Sequence, residues 1–92
     1  MTTKNGARFK FAPDAAWRKI EDEVIILNLQ NSIYYSLNDT GAAVWAKLGE
    51  GTSADEIAAE ISREYGAPLP TVRADVEEII ANLRKEKLLI AA

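Results

Sequence analysis

The hydrophobic period of the chain changes once, at Asn38. Before it, short runs rich in Trp, Ile, Val and Tyr are separated by polar breaks. After it, apolar residues recur at helical spacing. A period of two lines one face of a strand, and a period near 3.6 lines one stripe of a helix. Neither a small sheet nor a set of amphipathic helices buries its own apolar face, so the two layers must pack together. The chain is therefore expected to be an α+β domain, a sheet followed by helices.

Three strands are predicted, over Ala16–Glu21, Val24–Leu29 and Ile33–Leu37, joined as an antiparallel meander. In the second, Ile25, Leu27 and Leu29 share one face, and Val24, Ile26 and Asn28 share the other. In the third, Ile33, Tyr35 and Leu37 oppose Tyr34 and Ser36. The first alternates poorly: Trp17 and Ile20 share a face only with a bulge.

Three helices follow. Asn38 is the expected cap of a short helix over Thr40–Leu48 that buries Val44, Trp45 and Leu48 and ends at Gly49-Glu50-Gly51. Ser53 and Glu56 have capping-box spacing and open a second helix, which runs to Tyr65 and stops at Gly66. A third spans about Pro70–Glu86, with Val72, Val76, Ile79, Ile80 and Leu83 on its apolar side. Leu88-Leu89-Ile90 leaves as a short apolar tail. Two helices across a Gly turn, a third helix and a small sheet make a winged helix-turn-helix-like arrangement.

Ninety-two residues, 48% hydrophobic and 27% charged, suit one globular domain. Residues 1–12 hold Lys4, Arg8 and Lys10 and no acid, so a flexible basic arm is expected there, with a single domain over 13–92. The whole chain carries 11 Lys and Arg against 14 Asp and Glu, a net charge of −3, which argues against a general nucleic-acid binder. Cys and His are both absent, which excludes disulfides, thiolate or imidazole metal sites and His-based acid–base catalysis. No metal or other cofactor is expected. No apolar run is long enough to span a membrane and no signal-peptide pattern opens the chain, so a cytoplasmic protein is expected.

Few residues offer chemistry of their own. Glu56, Glu60 and Glu64 form a carboxylate stripe at i, i+4 and i+8, which reads as a solvated helix face. A winged-helix DNA-binding regulator is the alternative to a binding module. On the third helix Arg73, Arg84, Lys85 and Lys87 are offset by Asp75, Glu77, Glu78 and Glu86, which leaves little to neutralise phosphate. The third strand is more informative. From Gln30 to Asn38 it carries no charge and no Pro, yet in a meander it is an edge. An uncharged edge bearing Tyr34 and Tyr35 suits strand addition by a peptide, unless a helix covers it.

The stretch Val24–Gly51, VIILNLQNSIYYSLNDTGAAVWAKLGEG, resembles the PqqD-like family, and the likeness extends over about Pro13 to Leu89. Its most specific part is Tyr34-Tyr35-Ser36-Leu37-Asn38 followed by Thr40-Gly41-Ala42 and Trp45. One departure is Lys87, where the family commonly has Gly, so the third helix is expected to end later or differently. The family includes the peptide chaperone of pyrroloquinoline quinone biosynthesis and the recognition elements of ribosomal peptide natural products, lasso peptides among them. The resemblance implies a non-catalytic protein that binds the leader of a precursor peptide as an added strand. It would present that precursor to a radical SAM enzyme, a leader peptidase or a cyclase. It implies neither a nucleic-acid nor a membrane partner.

Carried onto this chain, the resemblance makes the backbone of Ile33, Tyr34, Tyr35 and Ser36 the pairing edge and the third helix the opposite wall. Val72 and Val76 belong to the stripe of that wall. On the Ile79 flank lie Asp75, Asn82 and Glu86; on the other lie Arg73, Glu77 and Arg84. The Asp75–Ile79–Asn82 flank is the expected groove side, because the Asp75 position belongs to the family pattern.

Overall fold

In the computed structural model, which describes residues 7–92, the change of period at Asn38 marks the boundary between sheet and helices. The elements are β1 (Phe9–Phe11), β2 (Ala15–Ile20), β3 (Glu23–Asn28), β4 (Ile33–Asn38), α1 (Thr40–Gly49), α2 (Ala54–Tyr65), α3 (Leu69–Lys85) and β5 (Leu89–Ala91). Strands β2-β3-β4 form the antiparallel meander, in that order, so β2 and β4 are its edges. No helix is long and apolar enough to cross a membrane among the described residues.

The register of β2 on β3 is unbroken from Ala15↔Asn28 to Ile20↔Glu23. The expected bulge is therefore absent. Trp17 and Ile20 lie on opposite faces. Trp17 turns inward, edge-on to Trp45 at 6.0 Å and to Phe11 at 5.6 Å. Ile20 turns outward and is half exposed. The inner face of β3 is the set Val24, Ile26 and Asn28, all buried, and it packs on α1. Val44, Trp45 and Leu48 of α1, Ile57 and Ile61 of α2, and Val76 and Leu83 of α3 complete the core.

Two segments depart from expectation. Phe9–Phe11 is not part of a loose arm, and Leu89–Ala91 is not a free tail. They pair antiparallel as a second, two-stranded sheet, Phe9↔Ala91 to Phe11↔Leu89. The reason is apolar burial at both ends: Phe9, Leu88 and Leu89 are buried, and Phe11 stacks on Trp45 with ring centroids 3.9 Å apart. Lys4 and the rest of 1–6 lie outside the described residues. Gly49 shows how closely Phe11 approaches. A Cβ there would meet the ring at 2.8 Å, so Gly49 is required by packing rather than by backbone conformation. The left-handed residue of that turn is Gly51, at φ +85°.

Caps account for the helix boundaries. Asp39, not Asn38, stands at the N-cap of α1, and its side chain makes no capping bond. The α2 capping box is complete: Ser53 Oγ accepts from the Glu56 amide at 3.3 Å, and Glu56 Oε1 accepts from the Ser53 amide at 3.2 Å. These bonds, that with the Ser53 backbone first, hold the Glu56 carboxyl below its usual range. Gly66 closes α2 in the left-handed conformation. Helix α3 stops at Lys85, and Lys87 adopts φ 62°, the backbone region glycine favours.

Candidate functional site

Backbone polarity decides what an edge strand offers. The Leu29 amide donates to the Asp14 carbonyl at 2.9 Å, across the β2–β3 pair. Backbone groups of successive residues point to opposite sides of a strand, so odd-numbered β3 residues face β2 and even-numbered ones face β4. The turn between β2 and β3 agrees, since its two residues Glu21-Asp22 close on the pair Ile20↔Glu23. Tyr35 lies opposite Ile26, and Ile33 opposite Asn28, so their amides and carbonyls are used inside the sheet. Those of Tyr34 and Ser36 point outward, to the open side of β4.

Side chains alternate by the same rule. Tyr34 stands on the outer sheet face, 68% exposed. Ile33, Tyr35 and Leu37 point inward. Ile33 is half exposed, and Tyr35 and Leu37 are partly buried against the core.

Helix α3 packs on α2, α1 and β5, and its two flanks meet different neighbours. On one flank the Arg73 guanidinium donates to Asp55 of α2 at 3.3 Å, and the Arg84 guanidinium sits 5.4 Å above the Phe9 ring of β1. On the other, just past the helix end, Glu86 reaches β4: Tyr35 Oη donates to Glu86 Oε1 at 2.7 Å. Asn28 Nδ2 also donates to the Glu86 carbonyl, at 3.1 Å. Glu86 is seven residues beyond Ile79, so both lie on one flank of the helix, with Asp75 and Asn82. Glu86 thus ties the C-terminal end of that flank to β4, while Arg73 and Arg84 on the other flank are engaged with α2 and β1.

The expected site residues separate accordingly. Ile79 is partly buried beside the core, and Asp75 and Asn82 are exposed. Val72 and Val76 are corrections: at 5% and 1% exposure they belong to the core under α2 and offer a ligand almost no surface. Two residues join the constellation that the candidate set did not include. Leu37 follows from the alternation of β4. Glu86 follows from helical spacing, though only the fold brings it to Tyr35. The hydrogen bond to Glu86, then burial, then the charge of Glu86 push the Tyr35 hydroxyl above its ordinary pKa.

The carboxylate stripe on α2 is engaged within the fold. Lys47 Nζ lies 3.0 Å from Glu60 Oε1 and 3.3 Å from Glu64 Oε2, while Glu56 closes the capping box. The hydrogen bond to Glu60 is the chief cause of a raised Lys47 pKa. No group of three or more metal-ligating side chains occurs among the described residues.

One open, uncharged edge strand, tied by Tyr35 to Glu86 at the end of the third helix, defines a class: small winged-helix α+β domains with an unguarded sheet edge. The chain belongs to the PqqD family, described as coenzyme PQQ synthesis protein D, whose profile matches residues 23–89. It is similar to the solved structure of TbiB1 in complex with the TbiA(beta) leader peptide. Identity there is 34% and the TM-score 0.83, over 87% of this chain and 93% of that one. A lasso peptide synthetase B1 complexed with the leader peptide shares the fold, at 21% identity and TM-score 0.84, over 91% of this chain and 99% of the other. Comparison with curated proteins gives no match.

Proposed function

We infer that the protein binds the leader segment of a ribosomally made precursor peptide as a strand added to β4. It acts without catalysing a reaction, in the cytoplasm where such precursors are synthesised, and hands the precursor to a separate maturation enzyme. That enzyme is a radical SAM protein, a leader peptidase or a cyclase. The observation that carries this reading is the pair of outward-facing backbones at Tyr34 and Ser36, on an edge without charge whose Tyr35 is tied to Glu86 at the end of α3. An added strand would satisfy those groups and cover the exposed parts of Ile33, Leu37 and Ile79. Each Å² of apolar surface so covered contributes about 25 cal/mol. The likeness to TbiB1, solved with a leader peptide, supports the same reading. DNA binding finds no comparable support, because Arg73 and Arg84 of the candidate recognition helix are engaged within the fold.

The test is calorimetric titration with a synthetic TbiA(beta) leader peptide. Saturable one-to-one binding that is lost in Tyr34→Pro, with an unchanged thermal melt, is the expected result. Binding that survives Tyr34→Pro would place the peptide elsewhere.

A further inference from the structure

The groove flank of α3 is electrically one-sided at its Glu86 end. One oxygen of the Glu86 carboxylate is engaged by Tyr35 Oη. Among the described residues no Lys or Arg lies within salt-bridge distance of it. The cations that could have neutralised it are directed elsewhere. Arg84 covers the Phe9 ring. Lys87 lines a separate cavity with Arg84, Pro13 and Ile90. Lys85 is exposed and, one residue before Glu86 on a helical path, points about 100° away from it. Strand β4 supplies no charge between Gln30 and Asn38.

A half-buried carboxylate held in place by a neutral donor has capacity for a further, charged one. Its anchor also matters: Tyr35 points inward from β4, so Glu86 stands where the inward side chains of a strand beside β4 would pass. We propose that Glu86 makes the groove charge-selective, taking leader strands that turn a Lys or Arg toward the β3–β4 end of the groove and rejecting those that turn an Asp or Glu there. The inference rests on the leader-binding reading above and adds to it the chemical class of peptide accepted.

A set of fluorescein-labelled TbiA(beta) leader peptides tests it, each carrying Lys, Gln or Glu at one position in turn, titrated by fluorescence anisotropy. The wild-type protein should prefer Lys to Glu roughly tenfold at one inward-facing position, the scale of one charge-assisted hydrogen bond. Glu86→Gln keeps an acceptor for Tyr35 and removes the charge, so the preference should shrink to about twofold with an unchanged thermal melt. Glu86→Lys should reverse it. A preference that persists in Glu86→Gln, or binding with no charge preference at any position, overturns the charge selectivity alone. If none of the peptides binds, the leader site itself falls, and the selectivity with it.

Discussion

Strands β2 and β4 occupy equivalent places at the two edges of one sheet, yet they meet solvent differently. β2 carries adjacent cations, Arg18 and Lys19, one on each face. Charges of this kind discourage a foreign strand, because pairing would desolvate them or set like charges side by side. β4 has no such guard; its six residues are Ile, Tyr, Tyr, Ser, Leu and Asn. A chain that protects one edge and leaves the other bare has separated stability from recruitment. The bare edge is also the one whose Tyr35 reaches Glu86 at the end of α3. Sheet edges are thus informative in pairs: the guarded one indicates what the unguarded one is for.

The sharpest way to break this comparison is a proline scan. Tyr35→Pro removes an amide used by β3 and should destabilise the domain by about 3 kcal/mol or more, enough to unfold much of it in a circular-dichroism melt. Tyr34→Pro removes an outward amide and should leave the melt nearly unchanged while abolishing leader binding. Lys19→Pro, at the matching outward position of β2, should leave both folding and binding intact. If Lys19→Pro and Tyr34→Pro weaken the leader equally, the two edges are not different in kind.

A smaller effect is expected on the helix wall. Asp75→Ala should fold normally and weaken leader binding by roughly 1–3 kcal/mol, measured by calorimetry. Ile79→Ser should weaken binding and also lower the melting temperature, because Ile79 is shared between groove and core. Arg73→Ala, on the flank turned to α2, should leave affinity alone; a loss there with none at Asp75 would put the groove on the opposite flank.

Removing the guard from β2 tests the other half. The double variant Arg18→Thr with Lys19→Thr should self-associate at high concentration in sedimentation experiments. Its monomer stability should change by no more than about 0.5 kcal/mol.

The smallest effect concerns the end of α3. Lys87→Gly relieves a left-handed residue and should stabilise the fold by about 0.5–1 kcal/mol in urea denaturation, without moving leader affinity.

What the sequence disclosed follows the range of the interactions involved. The Ser53–Glu56 box and the stop at Gly66 depend on a few neighbouring residues, and they read directly from spacing. The meander was legible because its strands are adjacent in the chain and each is long enough to show alternation. The Phe9–Phe11 pairing with Leu89–Ala91 was not. Three residues carry no period, and the partners lie about as far apart in sequence as the chain allows. Nor does the poor alternation of Ala16–Glu21 place Trp17 and Ile20; the unbroken register with β3 and the aromatic contacts of Trp17 put them on opposite faces without a bulge. At the site, the free edge of β4 was legible from its lack of charge. Which neighbours the flanks of α3 meet was not, because helical spacing ranks residues around an axis without orienting that axis. Arg73, Arg84 and Glu86 orient it, through partners on α2, β1 and β4.

The small β1–β5 sheet has a consequence for how such a unit is joined to others. By holding Phe9 beside Ala91 it brings both ends of the fold out at one place, in a sheet separate from the one that bears β4. A carrier attached before Phe9 or after Ala91 would be tethered from nearly the same point. The domain can then be set into a longer polypeptide as a cassette, on either side of an enzyme, with both links leaving from the β1–β5 sheet. The same closure makes it a candidate for circular permutation: a short loop joining 91 to 9, and new ends opened at the exposed Glu50-Gly51 turn, should preserve β4 and its facing helix.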